Sequence, residues 1–313
     1  LYKFGIVGDV HIDTKISSRK DDYFQTCLDK ISEVASNCEN IIFLGDLFNR
    51  PTMPNEYFSQ LYNHLNYLKL KGNKFYSIIG NHDIYNELEE SLNKTTLGLC
   101  QLTNLIQVID AAHPVNIAGY NFYTSYVNLE KAKEHLKTLR LNENDVLLLH
   151  LYYEDKYEGL CYDDLKNIGS SYIFLGHEHT PFPDLWKCYN EYTIYRCGSL
   201  LRCSANTSNL SRDIFYYVFN ELYNVSPLEN IHCAKIECMQ PSKDVFTEKA
   251  CTRENLNRSK FLKNINEVID KYTNNISTQS KFSIKNILES LNTPNKCLEY
   301  INEKYVKIGE ALV

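Results

Sequence analysis

Five short blocks of the chain place Asp, His or Asn directly after an apolar run. They are Gly8-Asp9-Val10-His11, Gly45-Asp46, Gly80-Asn81-His82-Asp83, His150 after Leu147-Leu148-Leu149, and Gly176-His177-Glu178-His179. Together they offer two carboxylates (Asp9, Asp46), one amide oxygen (Asn81) and four imidazoles (His11, His150, His177, His179) suited to metal ligation, with His82 left over. Cleaving a phosphoester takes a strong nucleophile at neutral pH and neutralisation of the non-bridging oxygens. Two cations about 3.5–4 Å apart supply both, by acidifying water and clamping the phosphoryl group. Asp46 stands alone in its block and is the natural bridging carboxylate. Asp9 and His11 are two residues apart, as are His177 and His179, so in extended backbone the members of each pair point the same way. One member of each pair could serve each metal, or both members of a pair the same metal. A single Gly-Asp is ordinarily a turn and a single His ordinarily packed or solvated, which is the reading for His64, His113, His135 and His232. Five of the nine histidines nevertheless fall inside these blocks, all at strand ends.

Bringing five such blocks together requires strands that end at one edge. Tyr2–Val7, Ile41–Leu44 and Phe75–Ile79 are apolar runs that close on the first three blocks, and Val146–Leu149 and Tyr172–Leu175 lead to the last two. Between them, residues 20–38 put Phe24, Cys27, Leu28, Ile31, Val34 and Ala35 on one helical face. Pro54 opens a second helix with Tyr57, Phe58, Leu61, Tyr62, Leu65 and Leu68 on a shared face, Gly72 closes it, and a third is expected near 129–140. Helices alternating with short buried strands predict an α/β fold, a layered core of β-sheets flanked by helices. Such sheets bind ligands beyond the carboxyl ends of their strands, where all five blocks fall.

From about residue 191 the pattern changes. Tyr192–Arg196 and Ile214–Phe219 alternate like strands on either side of Gly198-Ser199. Ile231–Cys238, between Pro227 and Pro241, reads as a further strand in a small appended cap. Beyond Cys251 the pattern is helical, with Phe261, Ile265, Val268, Ile269 and Tyr272 in one stripe and a looser one from Phe282 to Leu291. A last helix after Thr293-Pro294 repeats Leu298, Ile301, Tyr305, Ile308 and Leu312 as a coiled-coil-like seam. The expected organisation is a domain bearing the chemistry over 1–222, a cap over 223–252 and a helical tail over 253–313.

The 313 residues suffice for one large domain and a smaller one. The net charge is -6, and the tail from Cys251 counts 10 Lys and Arg against 7 Asp and Glu, so the first 250 residues carry -9. Two divalent cations would offset about four of those charges. This balance excludes a protein that grips nucleic acid by charge alone, which needs many Lys and Arg on phosphates. The 11 cysteines are scattered without a Cys-x-x-Cys pair, so reduced thiols in a cytoplasmic compartment are expected. No apolar run of 18 residues marks a membrane span, and no membrane association is expected.

The ordered set Asp9-x-His11, Gly45-Asp46, Gly80-Asn81-His82-Asp83, His150 and Gly176-His177-x-His179 resembles the calcineurin-like metallophosphoesterase superfamily over roughly residues 1–200. Within it, Gly45-Asp46-Leu47-Phe48 and Gly198-Ser199-Leu200-Leu201-Arg202 look most like the SbcD-type DNA repair and recombination nucleases, including their bacteriophage counterparts in bacterial hosts. The resemblance implies one metal held by Asp9, His11, Asp46 and His179, and another by Asp46, Asn81, His150 and His177. His82 would protonate the leaving oxygen, with Asp83 orienting its ring. The implied ions are manganese, with magnesium as the alternative. The implied partners are DNA, an SbcC-type coiled-coil ATPase docked on the tail, and a second copy of the chain in a homodimer. One departure bears on the balance of exonuclease and endonuclease action: several cellular relatives carry a second active-site His where this chain has Asn49.

The leading expectation is therefore a two-metal DNA nuclease, acting 3′ to 5′ on duplex ends and also as an endonuclease, in a recombination and repair complex. A small-substrate phosphatase or phosphodiesterase would use the same centre, and the acidic core favours it. A scaffold that has lost catalysis would lack several ligands, and none is missing.

Overall fold

The computed structural model describes residues 1–153, 159–203, 213–222, 231–237 and 245–251. All lie in the first of two units of the chain, Leu1–Asn255; the second, Leu256–Val313, falls outside the described residues and with it the expected helical tail. Two six-stranded sheets form the core. The first runs β12-β11-β1-β2-β3-β4, with β1 at Tyr2–Val7, β2 at Cys38–Phe43, β3 at Lys74–Ile78, β4 at Gln107–Ile109, β11 at Ile214–Phe219 and β12 at His232–Glu237. The second runs β5-β6-β7-β8-β10-β9, with β5 at Val115–Ile117, β6 at Tyr120–Thr124, β7 at Val146–Leu149, β8 at Tyr172–Leu175, β9 at Trp186–Cys188 and β10 at Thr193–Tyr195. Strands β1 to β4 are mutually parallel, as are β6, β7, β8 and β10, while β5, β9, β11 and β12 pair antiparallel, so both sheets are mixed.

The two-residue strand period explains the layering. Phe4 and Ile6 of β1, Ile42 of β2, Val146 and Leu148 of β7 and Tyr172 and Phe174 of β8 share one buried layer. Their neighbours point the other way. Val7, Ile41 and Phe43 meet α1 (Tyr23–Asn37) and α2 (Asn55–Leu70), while Leu147, Leu149, Ile173 and Leu175 meet Ala132 and Leu136 of α4 (Leu129–Thr138) and Leu165 of α5 (Tyr162–Leu165). Strands apolar on both faces thus make an α/β sandwich of two sheets between helices. Rings fill the central layer, with Phe4 stacked on Phe219 at 4.6 Å and Phe174 on Tyr195 at 4.9 Å. Each such buried ring contributes on the order of 2–3 kcal/mol of apolar burial.

The helices begin where local chemistry can satisfy free amides. The Asp22 side chain accepts from the Gln25 amide at 3.1 Å to start α1, and Asn128 does the same for Lys131 at 3.2 Å to start α4. Strand Ile231–Cys238 was expected in an appended cap. In the structure His232–Glu237 is instead the edge of the first sheet, antiparallel to β11, so it extends the core sheet. A 3-10 helix at Glu89–Lys94, α3 (Thr96–Leu102) and the three-residue strands β4, β5 and β9 are too short to give a readable period. No helix among the described residues is long and apolar enough to cross a membrane.

Candidate metal centre

Parallel pairing of β1, β2 and β3 brings Asp9, Asp46 and Asn81 to one end of the first sheet, and parallel pairing of β7 and β8 does so for His150 and His177 in the second. The loops are then zipped together by their backbones. His11 N donates to Asp46 O at 2.9 Å, Ile12 N to Leu47 O at 2.8 Å and Asn49 N to Ile12 O at 3.1 Å. Gly45 sits at φ 84°, and a Cβ there would meet the His150 imidazole. A Cβ on Gly80 would strike the Asp46 backbone and carboxylate, so only glycine lets these strand ends close on one another. Three donor residues that are not glycine also lie in the left-handed region: His11 at φ 55°, Asp46 at 46° and His177 at 74°. Each costs on the order of 1–3 kcal/mol, a strain typical of functional sites.

The side chains converge in two groups joined by Asp46. In one, His11 Nε2 lies 2.8 Å from His179 Nε2, His179 Nε2 lies 3.7 Å from Asp9 Oδ2, and His11 Nε2 lies 3.6 Å from Asp46 Oδ2. In the other, His150 Nε2 lies 3.3 Å from Asp46 Oδ1 and 3.1 Å from Asn81 Oδ1. His177 Nδ1 completes it, 2.9 Å from Asn81 Oδ1 and 3.3 Å from His150 Nε2. Asp46 therefore turns one carboxylate oxygen to each group. Ligand atoms about 2.1 Å from a cation stand roughly 3.0 Å apart at octahedral corners and about 3.4 Å apart at tetrahedral ones. The observed separations bracket those values. Within the first group, moreover, Asp9 Oδ2 and His11 Nδ1 are buried with no hydrogen-bond partner. Buried polar atoms are ordinarily satisfied, and an orphaned carboxylate oxygen aimed at imidazole nitrogens fits a cation. These residues are fitted to hold divalent metal.

Electrostatics fit as well. Burial pushes the imidazoles of His11 and His177 down to about 3, keeping their lone pairs free. Burial alone would lower His150 too, but Asp46 and Asp9 override it and raise it to about 10. Its Nδ1 donates to Leu44 O at 2.7 Å, which leaves Nε2 to hold either a proton or a metal. Burial raises Asp9 to about 7, whereas in Asp46 the neighbouring His150 and His11 outweigh burial and hold the carboxyl well below its usual range.

His82 is exposed at the rim, its ring edge-on to His11 with centroids 4.8 Å apart, and a ring nitrogen lies within 4.8 Å of donors on His11 and Asp46. Asp83 does not orient this ring. Its oxygens accept from the amides of Phe48 and Gly80, both at 2.9 Å, so it braces the loop while His82 Nδ1 faces Asn49 O at 2.9 Å. Consecutive residues point apart here, and two buried amides claim the carboxylate first.

Other contributors carried weaker signals. Gly198-Ser199-Leu200 clamps two ligand loops, Ser199 N donating to His179 O at 3.1 Å and Leu200 N to Asp9 O at 2.8 Å. Glu178, between two histidine donors, pairs with Arg196, and Tyr152 packs edge-on against His177 at 4.1 Å; neither was singled out by spacing. His64, His113 and His135 take ordinary partners, Ser32, Asp110 and Ser125. No disulfide joins any two of the nine described cysteines.

Comparison with known proteins agrees with this geometry. A search of curated proteins finds no match. Among 63 matching chains of solved structures, one aligns at 9% identity over 75% of this chain and 99% of its own, with a TM-score of 0.44. The family model described as "Calcineurin-like phosphoesterase" matches residues 2–181, which contain every donor described above. With more than half its length inside that match, the chain belongs to the calcineurin-like phosphoesterase family.

Proposed function

We propose that the protein is a metal-dependent phosphodiesterase acting on DNA, the nuclease subunit of an SbcC/SbcD-like recombination and repair complex. The observation that carries the reading is a two-group donor centre opening on solvent, with His82 exposed at its rim and Tyr152 45% exposed beside it. An open rim accepts an extended backbone that a closed pocket would exclude. When bound, two divalent ions, manganese in our reading, supply an acidified water and neutralise the phosphoryl oxygens. Asp9, His11, Asp46 and His179 would hold one ion, and Asp46, Asn81, His150 and His177 the other. His82 gives its proton to the leaving oxygen. The reaction is exonucleolytic on duplex ends, with endonuclease action as well.

The test incubates end-labelled duplex DNA and a small chromogenic phosphodiester with protein and Mn²⁺. Wild-type protein should shorten the DNA, and His82→Ala should abolish cleavage by about 10²–10⁴-fold with metal content intact. Loss of metal in that variant contradicts the acid role. The net charge of -6 favours a small-substrate phosphoesterase instead; turnover of the small ester with intact DNA is its signature. We assign residues 253–313 to docking the ATPase. Their deletion should break co-purification with it while sparing metal-dependent cleavage, and retained co-purification refutes the assignment.

A further inference from the structure

The loops after β1 and β2 share a contact network that reaches His82 through Asn49. Asp13 is buried, 9% exposed, yet belongs to neither donor group. Its Oδ1 accepts from the Thr14 amide at 2.7 Å and from Thr14 Oγ1 at 3.4 Å. Its Oδ2 accepts from Asn49 Nδ2 at 2.6 Å, and Arg50 Nε lies 3.5 Å away. Asn49 in turn presents its backbone carbonyl to His82 Nδ1 at 2.9 Å. A carbonyl oxygen only accepts, so Nδ1 carries the hydrogen and Nε2 is the nitrogen that can deliver a proton outward.

We propose that Asp13 and Asn49 are positioning residues for the acid His82: the buried Asp13 carboxylate latches the Asn49 side chain, and the latched Asn49 peptide fixes the tautomer and aim of the His82 ring. This rests on the phosphoester reading above and deepens it. Charge-assisted hydrogen bonds of this length are strong, and the Asp13 loop is already zipped to the Asn49 loop through Ile12 and Leu47. In the assisted step, phosphorus gains a bond to the oxygen of water and loses its bond to the leaving oxygen. The leaving oxygen keeps the electron pair and takes the proton from His82 Nε2, and a proton of the attacking water passes to solvent, from which the ring is recharged. The latch matters only when the leaving oxygen needs that proton.

Leaving-group dependence therefore separates positioning from general damage. Wild type, Asp13→Ala, Asn49→Ala and the conservative Asp13→Asn are compared on a thymidine dinucleotide, whose leaving group is a poor alkoxide, and on thymidine 4-nitrophenyl phosphodiester, whose leaving group is activated. Both alanine variants should lose about 10–100-fold in kcat on the dinucleotide with KM and metal content unchanged, and less than about threefold on the activated ester. Asp13→Asn, whose amide oxygen still accepts from Asn49, should recover most of the loss. Adding Asp13→Ala to His82→Ala should cost nothing further. Equal losses on both esters, or loss of metal in Asn49→Ala, overturn the inference while leaving the phosphoester reading intact. A wild-type protein inactive on both esters overturns that reading and this inference with it.

Discussion

The donor group of Asp9, His11 and His179 and the donor group of Asn81, His150 and His177 share Asp46 but are supported differently. The second satisfies itself. His150, its side chain 1% exposed, bonds Leu44 O through one nitrogen and faces Asn81 and Asp46 with the other, so a proton can stand where a cation would. The first does not, because Asp9 Oδ2 and His11 Nδ1 are buried without hydrogen-bond partners and His179, its side chain 30% exposed, closes the group from the solvent side. In the second group a metal must displace a proton, whereas in the first it relieves the Asp9 Oδ2 that no hydrogen bond satisfies, while His11 turns its Nε2 and not its Nδ1 to the group. The two groups should thus differ in how metal binding responds to pH and to mutation.

The largest effect should come from the residue they share. Asp46→Ala removes one ligand from each group and should lower phosphodiester turnover by at least about 10³-fold, with metal content falling from two ions toward none. Retention of both ions by mass spectrometry or elemental analysis would mean that the groups are independent.

Smaller and unequal effects should follow from removing one group at a time. His150→Ala and His179→Ala should each leave about one ion bound. The buried His150→Ala should also destabilise the fold by about 1–3 kcal/mol in denaturant melts, through the unpaired Leu44 carbonyl and the stranded Asp46. His179→Ala should melt within about 0.5 kcal/mol of wild type once metal is removed. Equal destabilisation would erase the contrast drawn above.

The smallest effect is a proton count. His150, raised to about 10, is protonated at pH 8 in metal-free protein, so metal entry there must expel a proton and apparent affinity must rise with pH, about tenfold per unit. Calorimetry at pH 8 in buffers of different ionisation enthalpy should give about one proton released per ion in His179→Ala, where the ion enters beside His150. No proton released in that variant would place the proton elsewhere.

Much of this architecture could be read from residue patterns, for physical reasons. Tyr2–Val7, Val146–Leu149 and Tyr172–Leu175 are apolar on both faces because each is sandwiched between a sheet and helices, and such runs are legible. The donors were legible because strand ends are where an α/β sheet exposes side chains to a common site. Their backbone was not: His11, Asp46 and His177 adopt left-handed angles that their residue types disfavour, so the spacing argument for extended pairs did not hold at those positions. The resemblance assigns Asp83 to the His82 ring, but the amides of Gly80, three residues back, and of Phe48, distant in sequence, claim its carboxylate. Strand His232–Glu237 was set apart as a cap because nothing local states that it pairs with β11.

Anomalous diffraction from crystals grown with Mn²⁺ tests the central claim most directly. Two peaks about 3.5–4 Å apart, one beside each donor group with Asp46 between them, are the result expected of a shared-carboxylate centre. A single peak, or two peaks that Asp46 does not bridge, would contradict it.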